Sequence, residues 1–438
     1  GGAIYSTGAT ITASSCIISN NAGVDGGGVF LNDTVFETTN SSFAHNTASG
    51  YGGAVYGEAS SVTFGDNVRL ERNEASFGGA LYATGRSNLA LTGDDISLSR
   101  NTASTYGGGL YVHQSTANVT GKTELVGNAA QVGGAIYTDN GSFLLSGDTL
   151  LSDNFASDEG GAFYSRISAF DIAGTAIWEN NSALSRGGAL SMSETTWHVK
   201  ALGKTIFVGN AAEFGGAAYT ANSVVVFDGD ADFTENHVSV RGGGLYSNIS
   251  TINISGNALW ENNRSPTSGG GVYTRDSDVN VVRSGRVKFN GNIAEFGGGA
   301  HIDTGMLLTY GDAFFSNNNA SANGGALYVT YSDADIAGYS LWENNTAQGG
   351  GGALSTLASN FSVPSSGRAS FVYNNAFSVG GAVYVAHCSV LFDGDVRFSN
   401  NAVVERGGAF HSDQSAISIA GTVLWTNNTS EDSGGASA

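Results

Sequence analysis

The sequence predicts an all-β chain: a single-stranded parallel β-helix of about 16 coils of ~27 residues, grouped three at a time into super-repeats of ~82. Three observations lead there. A Gly-Gly-small-apolar motif opens at Gly1, Gly26, Gly52, Gly78 and onward to Gly434, so 17 starts span 434 − 1 = 433 residues in 16 intervals. An apolar-x-x-Asn element follows each motif after about 20 residues. Finally, Trp178, Trp260, Trp342 and Trp425 are spaced by 82, 82 and 83 residues. A period held from one end to the other describes a stack of identical units rather than a globule.

The strand elements come from period-2 alternation. Leu89 and Leu91, then Ile96 and Leu98, place apolar residues two apart, with Gly93 and Asp94 turning between them. No window carries an i, i+3, i+4 stripe, and 65 glycines weaken any helix. Three short strands and three turns fill one 27-residue coil. The crossover rule makes the helix right-handed. Stacking at about 4.8 Å per coil gives an expected rod of roughly 75–80 Å.

The apolar-x-x-Asn element is the most regular part. Its apolar position runs from Ile18 to Trp425; all 16 are apolar and 11 are aromatic, so the rings are expected to stack inside the rod. The asparagines, among them Asn73, Asn101, Asn128, Asn210, Asn236, Asn292 and Asn374, are expected to form a hydrogen-bonded ladder at the adjoining turn. In the Gly-Gly motif the third residue is Ala or Gly throughout, from Ala3 to Ala436, and the fourth is apolar and points inward. The glycines supply positive φ or close chain approach. Tyr dominates the fifth position (Tyr56, Tyr82, Tyr137, Tyr246, Tyr384), and alternation points it outward as an exposed aromatic column.

Composition limits the function. The net charge is −20, with 38 acidic and 18 basic side chains. Such a field repels nucleic acid and anionic membrane surfaces. No run of 18 apolar residues exists, so direct membrane insertion is not expected. Pro266 and Pro364 are the only prolines and no composition shift marks a boundary, so residues 1–438 read as one continuous domain, uncapped at both ends. Open strand edges pair with other chains, which suggests a segment of a longer protein or a unit that self-associates end to end. Cys16 and Cys388 lie about 14 coils apart, some 65 Å at the strand spacing, too far for a disulfide.

The super-repeat sorts coils by charge at one Gly-centred turn. One type carries Lys122, Lys204, Arg286 or Arg368; the next carries Asp148, Asp230, Asp312 or Asp395, 26 or 27 residues on. Neighbouring coils then bring Lys122 to Asp148, Lys204 to Asp230, Arg286 to Asp312 and Arg368 to Asp395. Exposed pairs of this kind contribute only about 0.2–1 kcal/mol each, so their value is register.

Gly52-Gly53-Ala54-Val55, Gly133-Gly134-Ala135-Ile136 and Gly324-Gly325-Ala326-Leu327, alternating with Phe207-x-x-Asn210 and Phe398-x-x-Asn401, resemble the repeat of the chlamydial polymorphic outer-membrane proteins. The resemblance runs through the whole chain. It implies surface-exposed β-helical passenger regions used in adhesion; similar repeats occur in large secreted proteins of algae and other protists. Asn-x-Ser/Thr occurs 13 times, and Asn118, Asn140, Asn248 and Asn253 are the acceptors favoured for N-glycosylation.

The catalytic alternatives are weaker. A polysaccharide-processing enzyme needs a non-repeating acid cluster in a cleft, whereas Asp228 with Asp230 and Asp393 with Asp395 recur with the coil type, as turns do. The same turns offer oxygens for weak Ca²⁺ binding; no other cofactor is expected. The seven histidines are scattered without metal-ligand spacing. The expected function is an extracellular structural or adhesive rod at a cell surface. An autotransporter-type adhesin passenger that binds glycans or surface proteins is the nearest alternative.

Overall fold

The structure is a computed structural model and describes residues 1–432; Gly434 and Ala436, the seventeenth motif, lie outside the described residues. The chain divides into two compact units, Gly1–Ser223 and Val224–Ala438. Each is a parallel β-solenoid, and no helix occurs among the described residues. In the first unit a coil lays Leu81–Thr84, Asn88–Leu91 and Ile96–Ser99 on three successive faces. In the second, Leu327–Thr330, Asp333–Ile336 and Tyr339–Glu343 do the same.

Equivalent positions stack one coil apart. Leu81 pairs with Leu110, Leu89 with Ala117 and Leu98 with Leu125, all in parallel. In the second unit Leu327 pairs with Leu354, Ala334 with Phe361 and Trp342 with Phe371. Because side chains alternate, each strand sends every second residue into a narrow axial core. There the apolar-x-x-Asn rings stack face to face. Phe233, Trp260, Phe289, Phe315, Trp342, Phe371, Phe398 and Trp425 form one file, with centroids 3.9 to 5.4 Å apart and planes within 18°. In the first unit Trp178 stacks on Phe207 at 5.4 Å. The file leaves an enclosed apolar void of about 20 Å³ beside Trp260, Val279, Val281 and Val287.

Corners are turned by single left-handed residues. Arg86 and Arg100 have φ of 65° and 54°, Tyr331 and Asn344 of 51° and 54°. The two motif glycines divide their labour. Gly52 takes φ of 61°, while a Cβ on Gly53 would collide with the carbonyl of Gly79 in the next coil. The first glycine supplies conformation and the second supplies closeness.

Two expectations are corrected. Most coils have more than three strands: a short fourth follows the buried asparagine, as in Glu74–Phe77 and Thr102–Tyr106, paired Ala75 to Ala103, while after Asn263 only single bridges at Arg264 and Ser268 remain. A two-to-five-residue strand with one inward alanine is too short to show alternation, so the pattern hid it. This segment also overturns the exposed tyrosine column. The tyrosines do point outward, but the segment between the buried asparagine and the next Gly-Gly pair folds over them. Tyr106 stacks on Tyr137 at 4.5 Å, Tyr51 lies 4.7 Å from Tyr82, and Phe296 stacks on Tyr328 at 5.3 Å. Tyr137, Tyr246 and Tyr273 are consequently buried, and Tyr56 and Tyr82 half-buried. Burial pushes the Tyr82 hydroxyl up to about 12.

Candidate functional surface

The asparagines form the best-satisfied polar feature of the fold. Oδ1 of Asn101 accepts from the backbone N–H of Asn73 at 2.9 Å and from its Nδ2 at 3.0 Å. Asn101 in turn donates both groups to Asn128, and its Nδ2 also reaches the Leu70 carbonyl at 2.9 Å. Both amide hydrogens and both oxygen lone pairs are thereby used, in a side chain with no exposure. Asn210 sits in the same column, receiving Asn181 and donating to the Trp178 carbonyl. In the second unit Asn236 donates to Asn263, Asn292 to Asn318 and Asn374 to Asn401.

A second ladder, of hydroxyls, escaped the sequence reading. Past the corner that follows the Gly-Gly strand, the N–H groups of Thr34, Ser60 and Ser87 donate to the Oγ of Ser60, Ser87 and Ser115 at 3.0 to 3.1 Å. The hydroxyls point back locally, Ser60 Oγ to the Glu58 carbonyl at 2.7 Å. The second unit repeats this with Ser250 to Ser277 and Ser332 to Ser359. The signal was a Ser or Thr eight residues (nine for Ser87) beyond the first glycine of most motifs, with Gly141 and Gly305 among the exceptions, masked by the abundance of both residue types. Cys388 occupies this column, buried; Cys16 is half-buried, and both thiols are free.

Of the charge pairs, Arg286 Nη2 lies 3.2 Å from Asp312 Oδ2 and Arg368 Nε 3.7 Å from Asp395 Oδ2, each pair in register across one coil step. Lys122 and Asp148 are stacked one coil apart, the Thr123 N–H bonding the Asp148 carbonyl, yet both side chains extend into solvent and form no ion pair. They precede their strands instead of beginning them, so the pleat does not aim them at each other. Lys204 and Asp230 each open a third-face strand, in the first and second unit respectively. Asp230 accepts from Asn257 Nδ2 at 2.9 Å, and Asp228 accepts from the Ser255 hydroxyl. Among the described residues no group of three His, Cys, Asp or Glu side chains is arranged to hold a metal ion.

The sequons differ in setting. Asn140 is exposed at a left-handed corner with φ of 51°. Asn118, Asn248 and Asn253 are partly covered; Asn253 accepts from Asn280 Nδ2 at 3.1 Å, and the hydroxyl-bearing Ser250 of the Asn248 sequon is buried.

Two carboxylates, the buried Asp139 and the half-buried Asp303, lie at the same repeat position 303 − 139 = 164 residues apart, two super-repeats. Asp139 holds His113 at 3.1 Å and Arg166 at 3.0 Å. Asp303 accepts from the Tyr273 hydroxyl at 2.9 Å and the Thr330 hydroxyl at 3.0 Å, and Thr330 meets His301 Nε2 at 3.0 Å. Arg241 lies over the Tyr273 ring. Burial pushes the His301 imidazole down to about 4, against the opposing pull of Asp303. Both networks tie neighbouring coils together, the first with His113 and Arg166 still partly exposed.

These features define a repeat protein of the parallel β-solenoid class, built from buried ladders beneath a long polar surface. More particularly, the Chlamydia polymorphic membrane protein repeat matches at residues 40–58 and 312–330, and the chain carries that repeat there, Asn46 with Gly52-Gly53 and Asn318 with Gly324-Gly325. Among solved structures, the crystal structure of a TibC-catalysed hyper-glycosylated TibA fragment is similar over 77% of this chain and 97% of that chain, at 14% identity and a TM-score of 0.30. No curated protein gives a significant match.

Proposed function

We propose that the chain is a segment of an extracellular rod, structural or adhesive, displayed at a cell surface. The observation that carries this is the continuity of the buried ladders. Asn46 through Asn210, and Asn236 through Asn428, repeat one bonding scheme coil after coil, and such an arrangement specifies length and surface in place of a reaction centre. The shared polymorphic membrane protein repeat supports placement at a surface. A charge of −20 keeps such a surface soluble and away from anionic lipid and nucleic acid. End-to-end self-association and binding of glycans or surface proteins belong to the same reading.

The test is direct. Beads coated with the purified chain are presented to cultured cells under flow, and the free protein is imaged by negative-stain electron microscopy. Elongated particles are expected, together with bead retention or filament formation. Round particles that neither adhere nor assemble would overturn the reading.

A further inference from the structure

The corner lined by the hydroxyl ladder opens into a groove in the second unit. Its volume is about 680 Å³, against about 330 Å³ for the corresponding corner groove of the first unit. The sequence explains the difference. Left-handed corner residues on successive coils are Tyr331, Ala358, His387 and Gln414. Ala358 is a methyl between two long side chains, so it leaves a notch, and the floor beneath is made of Ser332 and Ser359. Tyr331 and His387 therefore flank a slot two coils wide, about 10 Å at the strand spacing.

The walls carry a particular chemistry. Tyr331 stands 65% exposed and lines the groove. Beside it, Asp333 and Asn360 are register partners on the second face, with Asn360 Nδ2 donating to Asp333 Oδ1 at 2.7 Å. Both residues are exposed, and that contact leaves the second carboxylate oxygen and the Asn360 side-chain oxygen as two acceptors without partners among the described residues. A flat apolar ring next to paired acceptors matches a pyranose: C–H groups against the ring, and adjacent hydroxyls donating to the acceptors. The Asp333 carboxylate, within a chain of net charge −20, disfavours sulfated or uronic-acid chains.

We propose that this groove binds a neutral oligosaccharide lying along the coil axis, with Tyr331 stacking one sugar ring and Asp333 and Asn360 holding its hydroxyls. The proposal gives the adhesive side of the preceding reading a ligand and rests on it only there. Asn360-Phe361-Ser362 is also a sequon, and a glycan attached at Asn360 would occupy the groove, so the test uses protein made without N-glycosylation.

Maltohexaose, cellohexaose, mannohexaose and a sulfated hexasaccharide are titrated calorimetrically into the intact chain. Saturable binding of at least one neutral hexaose is expected. Tyr331→Ala and Asp333→Ala should each weaken it by about tenfold, the scale of one lost contact. Tyr373→Ala removes another well-exposed corner tyrosine, outside the groove, and should change nothing. Failure of every neutral sugar to bind, binding of the sulfated sugar alone, or undiminished binding by Tyr331→Ala would each overturn the proposal. Particle shape and bead retention are read separately, so a rod without this site is distinguished from no rod at all.

Discussion

Asn128 receives through one oxygen both N–H groups that Asn101 offers, the backbone N and Nδ2 each at 3.0 Å. One side chain thus joins two coils through their main chain as well as through each other. The consequence is that no member of the column is dispensable.

Asn101→Ala would strip two buried donors of Asn73 of their acceptor and remove the side-chain bond to the Leu70 carbonyl. At about 1–3 kcal/mol per orphaned group, the loss should reach roughly 3–5 kcal/mol. A urea titration should show the midpoint falling accordingly. Asn101→Asp, nearly isosteric but without the amide donors, should be no better. If either variant unfolds like the wild type, the ladder contributes nothing.

Trp342 has no exposure and stacks on Phe315 at 3.9 Å. Trp342→Ala should cost about 3–5 kcal/mol through lost burial and the cavity left behind. Trp342→Phe, which restores the residue type found one coil away on either side, should recover most of that loss. Thermal melts of the two variants make the comparison.

His301 predicts a pH dependence. Its folded pKa of about 4 lies below the ordinary 6.5, because burial disfavours the imidazolium. Between those values the unfolded chain binds more protons, so stability falls as pH drops through 6.5 and levels off below about 4. The slope approaches about 1.4 kcal/mol per pH unit at its steepest. His301→Tyr, which installs the residue prevalent in this column, should flatten that part of the stability-against-pH curve. An unchanged slope in the variant would mean that the acid sensitivity originates elsewhere.

The void beside Val281 offers a gain. Its volume of about 20 Å³ is close to that of one methylene, so Val281→Ile should stabilise the second unit by about 0.5–1 kcal/mol. Loss of stability would instead indicate that the pocket cannot accept the added group without displacing Phe289 or Trp260.

Periodicity made the solenoid legible before any coordinates, because a strand stacked on its own copy must keep the same residue type at the same depth. Leu98 over Leu125 and Trp342 over Phe371 follow from that rule alone. The fourth strand did not, since Thr47–Ala48 is only two residues long and leaves no period to read. The hydroxyl ladder was likewise lost among serines and threonines that do nothing of the kind.

Local pattern therefore specified which residues lie in the core and how many lie between repeats: alternation and spacing are properties of neighbours along the chain. What covers the tyrosines, which of the like-spaced charges meet, and where a missing side chain opens a groove belong to contacts between coils. Arg286 reaches Asp312 while Lys122 misses Asp148, although 26 residues separate each pair. The difference is the direction in which the backbone aims each side chain, which takes three dimensions to set.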